Sequence, residues 1–248
     1  MSRPTLVLLH GWGLSPAVWA PLAPLWPADF EIHTPALPGH ADAPACGPAL
    51  ADWADALLPA IPPGAIVVGW SLGALLALDL ARRHPAHIRA LVLTGATPRF
   101  VQGNDWPCAL DAATLTDFQA AFGASPEPTQ RRFVALQSLG DQARRSVANT
   151  LGGALSPTGP AHLPALALGL ELLAETDLRA SLSTLQLPVR VLHGDKDTLM
   201  PVEAAIRLAD QLPQGRLSVL AGSGHAPFLS RPQEWVSLLE SFVRDCRS

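Results

Sequence analysis

The residues best suited to chemistry are a serine, a pair of aspartates and a histidine, in that order along the chain. Ser71 lies within Gly69-Trp70-Ser71-Leu72-Gly73. Asp195 and Asp197 follow one apolar run, and His225 follows the next. A serine hydroxyl becomes an effective nucleophile when a base removes its proton and an acid orients that base. This order predicts acyl-transfer chemistry, and either aspartate is a candidate for the acid.

The segment around Ser71 has the pattern of a tight turn from a strand into a helix. Residues 65–68 are apolar and mostly β-branched, and residues 72–84 are rich in leucine and alanine. Gly69 and Gly73 carry no side chains that would clash with neighbouring backbone at such a turn. The turn would present Ser71 at the carboxyl end of the strand, at the top of the sheet. The start of the following helix favours negative charge there. An ordinary glycine-containing turn is the alternative for this motif taken alone.

A second glycine-rich loop, His10-Gly11-Trp12-Gly13, follows the apolar run at residues 5–9. In hydrolases with this serine turn, one oxyanion donor comes from such a loop and the other from the residue after the serine. We therefore predict that the backbone N–H groups of Trp12 and Leu72 stabilise the oxyanion. The alternative is that Trp12 serves only to pack the interior.

Apolar runs and helical patterns alternate along much of the chain. The predicted strands are residues 5–9, 30–34, 65–68, 88–93, 189–193 and 217–220, and the predicted core helices are 49–60, 72–84 and 234–244. This alternation favours an α/β fold with a mostly parallel, doubly wound sheet, in which ligands bind at the carboxyl ends of the strands. The two glycine-rich loops, the aspartates and the histidine all follow such ends.

Between residues 99 and 184 the alternation stops. Four stretches there have a helical pattern and are separated by glycine and proline: residues 112–122, 128–139, 142–151 and 163–174. We predict an α/β core made of residues 1–98 and 185–248, with residues 99–184 inserted between core strands as an all-helical cap over the site. The alternative is a second packing layer remote from the chemistry.

Composition argues against several classes of protein. Lysine and arginine number 17 against 21 aspartate and glutamate, so the formal net charge of −4 disfavours nucleic acid as a partner. Three widely spaced cysteines favour a reducing compartment over a disulfide framework or a zinc site. The sequence has neither a signal-peptide pattern nor an apolar stretch that would span a bilayer, so a cytoplasmic protein without membrane contact is expected.

Together with Gly194-x-x-Asp197, Pro201 and the run Gly222-Ser-Gly-His-Ala-Pro-Phe228, these motifs resemble the α/β-hydrolase family across nearly the whole chain. The family's spacing from Gly194 selects Asp197 as the acid, and the resemblance implies catalytic roles for Ser71, Asp197 and His225 without any metal or organic cofactor. The histidines at positions 10, 40 and 193 are expected to be structural. Because the chain begins almost at its first strand, the antiparallel edge strands common in the family are expected to be shortened or missing.

The resemblance extends into the cap, through Arg132-Phe-Val-Ala-Leu-Gln137 and Gly169-Leu-Glu-Leu-Leu173. These cap segments resemble those of the esterases of biotin synthesis that act on a methyl ester carried by acyl-carrier protein. The resemblance implies a pimeloyl substrate and a carrier-protein partner. The substrate contacts implied are Trp12, Ser71, Leu72, Phe133, Val134, Ala135, Leu136, Gln137 and His225. Packing between cap helices is the alternative for residues 133–137.

Between residues 125 and 150 the cap is locally basic, with four arginines against Glu127 and Asp141: Arg131, Arg132, Arg144 and Arg145. Because acyl-carrier proteins are acidic, this patch suits docking of the carrier, although charged helices are often only solvated faces.

Other function classes share parts of this pattern. A broad short-chain carboxylesterase or a cofactor-free haloperoxidase has the same three groups, and a non-catalytic ligand receptor has the same fold. Dehalogenases and epoxide hydrolases place an aspartate where this chain has Ser71. A monomeric carrier-protein methyl esterase is the function we predict.

Overall fold

The computed structural model describes residues 3–246. Its centre is a sheet of six strands: β1 Thr5–Leu9, β2 Glu31–His33, β3 Ala65–Trp70, β4 Ile88–Thr94, β5 Val189–Gly194 and β6 Gly215–Leu220. The strands lie in the order β2-β1-β3-β4-β5-β6. Every neighbouring pair of strands is parallel, so the sheet is entirely parallel and the described residues add no antiparallel edge strand.

The central strands are apolar on both faces because helices cover both sides of the sheet. In β1, Leu6 and Leu8 join one buried cluster, whereas Val7 and Leu9 join the other. This division follows the two-residue alternation of side chains along a strand. A strand buried on both faces reads as a continuous apolar run, which explains why the sequence signals these strands so clearly.

Helices make up the two outer layers and the cap. The α-helices are α1 Leu50–Leu57, α2 Leu72–Arg83, α3 Ala112–Ala124, α4 Pro126–Gln137, α5 Arg144–Gly153, α6 Leu163–Glu175, α7 Val202–Gln211, α8 Pro227–Ser230 and α9 Pro232–Asp245. The layer beside Val7 includes α1, α2 and α7, and the layer beside Leu6 includes α8, α9 and a 3-10 helix, Pro16–Leu25. No helix within residues 3–246 is long and apolar enough to cross a bilayer.

The chain reverses its direction of winding between β1 and β3. After β1 it proceeds to β2 on one side, and it then returns to place β3 on the other side of β1. The loops that leave the carboxyl ends of β1 and β3 diverge at such a point and leave a crevice between them. The His10–Gly13 loop and Ser71 follow these two strand ends.

Residues 99–184 contain α3 to α6 and a short 3-10 helix, Arg179–Thr184. Within this part of the described chain the only β-type pairing consists of isolated bridges, such as Val101 with Leu110. The apolar cluster on the α2 side of the sheet continues into this segment through Phe118, Phe133 and Leu170. The helical segment therefore packs directly onto the core.

Some elements lie outside the sequence prediction. Helix α7 and the 3-10 helix Pro16–Leu25 were not predicted, the latter because Pro21 and Pro24 interrupt its helical pattern. Helix α4 begins at Pro126 and α5 at Arg144, each shifted by two residues from the predicted start. The later start of α5 has a local cause, because residues 138–143 form a turn in which an Asp141 carboxylate oxygen accepts the N–H of Ala143 at 2.7 Å.

Candidate active site

Ser71 occupies a strained turn between β3 and α2. Its backbone has φ 56° and ψ −117°, a conformation that residues with a side chain rarely adopt. A Cβ on Gly69 would lie 2.6 Å from the Cα of Ala74, and one on Gly73 would lie 2.6 Å from the carbonyl oxygen of His10. Both positions therefore exclude side chains, and the glycines of the motif permit the turn that presents Ser71.

His225 and Asp197 form a buried hydrogen-bonded pair. The Nδ1 of His225 lies 2.7 Å from Oδ2 of Asp197, and each residue is almost fully buried. Burial by itself raises the pKa of Asp197, but the charge and hydrogen bond of His225 outweigh it, so the pKa lies below its usual value. A carboxylate in this position fixes the imidazole with its proton on Nδ1 and leaves Nε2 free to act as a base.

The backbone holds Asp197 through its other oxygen. Oδ1 accepts the N–H groups of Leu199 and Met200, both at 2.9 Å. His193 lies 3.4 Å from Oδ2 of Asp197 and donates from Nε2 to the carbonyl of Met200 at 2.8 Å. Burial lowers the pKa of His193, so its ring is neutral at physiological pH.

The competing acid, Asp195, is directed elsewhere. Its Oδ1 accepts the N–H of Gly222 at 2.6 Å, and its Oδ2 lies 3.4 Å from the ammonium group of Lys196. Asp195 thus contacts Gly222 and Lys196, whereas Asp197 contacts the imidazole itself.

Two buried side-chain atoms of Ser71 and His225 make no hydrogen bond within residues 3–246. Neither Oγ of Ser71 nor Nε2 of His225 has a hydrogen-bond partner among the described residues. Ser71 retains 5% of its surface and His225 only 1%. A Cβ on Gly11 would lie 3.4 Å from the Cβ of Ser71, so the loop after β1 packs directly beside the serine.

Two buried histidines hold the loop after β1. His40 accepts the N–H of Gly13 at its Nε2, at 3.1 Å, and His10 likewise accepts the N–H of Leu37 at 3.1 Å. Accepting these bonds requires neutral rings. Burial, with a smaller contribution from the neighbouring His40, lowers the pKa of His10 to about 3, and burial lowers the pKa of His40 to about 4.

Trp12 belongs to the loop after β1, and its side chain contacts the helices of the cap. Its indole N–H donates to the carbonyl of Leu166 in α6 at 2.7 Å, and its ring packs edge-on against Phe122 and Phe133 at centroid distances of 5.3 and 5.1 Å. Its backbone N–H and that of Leu72 donate to no other group among the described residues. The side chain is therefore an anchor for the cap, and the backbone N–H is available to a ligand.

Residues 133–137 of the cap belong to α4, and some of their side chains are buried whereas others are exposed. Phe133, Val134 and Gln137 are buried, and the ring of Phe133 packs on that of Trp12. The Oε1 of Gln137 is buried without a hydrogen-bond partner in the described part of the chain. Ala135 is exposed and Leu136 is half-buried, so Ala135 faces away from the interior.

The four arginines of the cap lie on the surface of α4 and α5. Arg131 pairs with Glu127 at 2.9 Å, one helical turn away. Within residues 3–246, the other three arginines form no ion pair, namely Arg132, Arg144 and Arg145. Asp141, which the sequence analysis treats only as part of the charge balance, is buried, so the exposed surface is more basic than the sequence suggests.

The chain is similar to known proteins over nearly its whole length. Residues 4–232 match the family model described as alpha/beta hydrolase fold. A protein of Aromatoleum aromaticum, named pimeloyl-[acyl-carrier protein] methyl ester esterase, is 52% identical over 98% of this chain and 100% of its own length. A protein of the same name from Aeromonas hydrophila is 35% identical over 97% of this chain and 95% of its own length.

The fold is also similar to that of solved structures. An esterase from Exiguobacterium antarcticum superposes with a TM-score of 0.81 at 20% identity, covering 98% of this chain and 92% of that chain. At this level of identity the similarity concerns the fold alone.

Proposed function

The chain belongs to the α/β-hydrolase fold family, and from this premise we propose that it is a serine esterase that hydrolyses the methyl ester of pimeloyl-[acyl-carrier protein] in biotin synthesis. The products are methanol and pimeloyl-[acyl-carrier protein] with a free carboxylate. The observation that carries this proposal is the 52% identity, over almost the full length of both chains, to a relative of that name. The hydrogen-bonded pair of His225 and Asp197, with His225 in contact with Trp70 just before Ser71, supports ester hydrolysis as the reaction.

In the acylation step, Oγ of Ser71 attacks the ester carbonyl while Nε2 of His225 takes the hydroxyl proton. Asp197 holds Nδ1 and stabilises the imidazolium that forms. The tetrahedral intermediate then collapses, the bond to the methoxy group breaks, and His225 returns the proton so that methanol leaves. Water, activated by the same imidazole, hydrolyses the acyl-enzyme and restores Ser71.

The oxyanion of both tetrahedral intermediates is bound by the backbone N–H groups of Trp12 and Leu72. Leu72 is the first residue of α2, so its N–H has no partner within the helix. The loop that carries Trp12 is held by His40 through Gly13 before substrate arrives. Donors fixed in advance stabilise developing charge without reorganisation, and one such donor is typically worth about a hundredfold in rate or more.

The acyl chain contacts the inner side of α4. Phe133 and Gln137 are one helical turn apart and both are buried, so they form one face toward the core. The unpartnered Oε1 of Gln137 gives this otherwise apolar face one acceptor. Among residues 133–137, the exposed Ala135 has the weakest support as a substrate contact.

The carrier protein docks on the exposed arginines of α4 and α5. Arg132, Arg144 and Arg145 have no competing ion pair among the described residues, so they are available to an acidic partner. One chain supplies all the groups of the site, which supports a monomer. Three cysteines that are all free suit the reducing cytoplasm.

This function is tested by comparing turnover of methyl pimeloyl-[acyl-carrier protein] with that of a short p-nitrophenyl ester. We expect the carrier-bound ester to have the higher kcat/KM. A preference for the small ester would instead indicate a broad short-chain esterase, and inactivity on both would indicate a ligand-binding protein.

A further inference from the structure

The turn between α4 and α5, residues 138–143, lies against both loops that carry the proposed base and acid. The N–H of Gln142 donates to the carbonyl of Gly222 at 2.9 Å. A Cβ on Gly140, whose φ is +77°, would collide with the carbonyl oxygen of Lys196. The turn therefore contacts the loop after β6 through one residue and the loop after β5 through another.

Asp141 is at the centre of this junction. It is 6% exposed, and each of its carboxylate oxygens accepts one backbone N–H. Oδ1 accepts from Ala143 at 2.7 Å, within the cap, and Oδ2 accepts from Gly224 at 2.7 Å, in the histidine loop. A hydrogen bond to a carboxylate is among the stronger kinds, and this one joins residues 83 positions apart.

The contact is close as well as polar. A Cβ on Gly224 would lie 3.2 Å from the Cβ of Asp141 and 3.2 Å from the carbonyl oxygen of Leu139. Gly224 therefore permits the backbone before His225 to approach the cap turn. Asp141 binds the peptide unit between Ser223 and Gly224, and Gly224 immediately precedes the residue with the proposed catalytic imidazole.

We infer that Asp141 is a positioning residue, through which the cap holds the backbone of His225 so that Nε2 faces Ser71. The inference rests on the proposed role of His225 as the base. The orientation of the ring depends on its own backbone as well as on Asp197, and a displacement of about 1 Å at a reacting group can cost about a hundredfold in rate. The cap thus contributes to catalysis as well as to substrate selection.

The test uses the rate at which a fluorophosphonate labels Ser71, because this reaction needs the base but no carrier protein. Asp141→Ala removes both acceptors, whereas Asp141→Asn keeps one acceptor oxygen. Asp195→Ala is the matched control, since Asp195 accepts the N–H of Gly222 in the same loop, three residues from His225. The end point of labelling measures the fraction of enzyme that is folded. The labelling rate measures how effectively the base activates Ser71.

We expect Asp141→Ala to label to the same end point as the unmodified protein but about a hundredfold more slowly, with Asp141→Asn intermediate. Turnover of a p-nitrophenyl ester should fall in kcat with little change in KM. Asp195→Ala should remain within about threefold of the unmodified rate.

Three results would overturn the inference: a labelling rate for Asp141→Ala within about threefold of the unmodified protein, an equal loss in Asp195→Ala, or a loss of end point that accounts for the loss of rate. His225→Ala is measured in parallel. If His225→Ala labels at the normal rate, the proposed base is wrong; if it is slow while Asp141→Ala is normal, only the role of Asp141 fails.

Discussion

The indole N–H of Trp70 donates to the carbonyl oxygen of His225 at 2.9 Å. Trp70 is the last residue of β3 and immediately precedes Ser71, so one hydrogen bond connects the strand that ends at the serine to the loop that carries the histidine. Asp141 binds the N–H of Gly224, the residue that precedes His225. The backbone of His225 is therefore held from the core and from the cap, which favours a fixed orientation of the imidazole.

Ser71→Ala should abolish ester hydrolysis and leave the fold intact. The hydroxyl has no hydrogen-bond partner within the described chain and alanine retains the Cβ, so we expect the free energy of unfolding to change by less than about 1 kcal/mol. Urea unfolding and ester turnover measure the two effects. A fluorophosphonate should label Ser71 in the unmodified protein, and labelling of a different serine would show that the nucleophile is misassigned.

Asp197→Asn and His225→Ala should each lower kcat by about a thousandfold or more, because the three groups act as a unit. Asp195→Asn should lower kcat much less, since Asp195 contacts the loop and Lys196 rather than the imidazole. Steady-state kinetics on a p-nitrophenyl ester compare the variants. If the two aspartate variants exchanged phenotypes, Asp195 would be the acid.

The free energy of unfolding should fall as the pH is lowered from 7.5 to 5.5. Burial holds the pKa of His40 at about 4 and that of His10 at about 3 in the folded protein, against 6.5 for the exposed group. Over this interval the unfolded chain binds more protons than the folded chain, so each histidine contributes a loss of roughly 1 kcal/mol.

The variant His40→Gln tests this origin, because it removes one titrating ring and retains an acceptor oxygen for the N–H of Gly13. Urea titrations at both pH values should show a smaller pH dependence in the variant than in the unmodified protein. An unchanged dependence would mean that His40 is not responsible.

Reversal of Arg132 and Arg145 to glutamate should raise KM for methyl pimeloyl-[acyl-carrier protein] and barely affect a small p-nitrophenyl ester. Both side chains are exposed, and opposite charges act mainly on encounter, within a screening length of about 8 Å at physiological salt. Added salt should raise KM for the carrier-bound substrate alone.

A matched control makes the same change of charge at the amino ends of the strands. Arg3 precedes β1 and Arg216 lies at the start of β6, so both lie at the amino ends of the strands, opposite Ser71. Arg3→Glu with Arg216→Glu should leave both substrates unaffected. If this control weakened carrier turnover as much as the cap variant, net charge rather than docking would explain the effect.

The parts of the fold that the sequence predicts are those set by local pattern. The central strands β1, β3 and β4 are mostly apolar runs because both faces are buried, and Gly69 and Gly73 mark the turn at Ser71 because no side chain fits there. Helix α7 could also have been predicted, because Ala204, Ala205 and Leu208 are apolar at helical spacing and are buried.

The contribution of Asp141 could not be predicted from the sequence. Its partner Gly224 is 83 residues away, and the contact exists only because the cap turn packs against the loop after β6. In a charge count Asp141 looks like one more solvated acid on a basic surface. Likewise, the pattern of α4 places residues 133 and 137 on one face, but only the packing on Trp12 shows that this face is buried.

The most direct test of the proposed function is the mass of the carrier protein after incubation with the enzyme. Methyl pimeloyl-[acyl-carrier protein] should lose the mass of one methylene group, with release of an equal amount of methanol, and the thioester to the carrier should remain intact. Ser71→Ala should leave the mass unchanged. If the unmodified protein hydrolysed p-nitrophenyl esters but left the mass of the methylated carrier protein unchanged, it would be an esterase of another substrate, and the proposed function would be wrong.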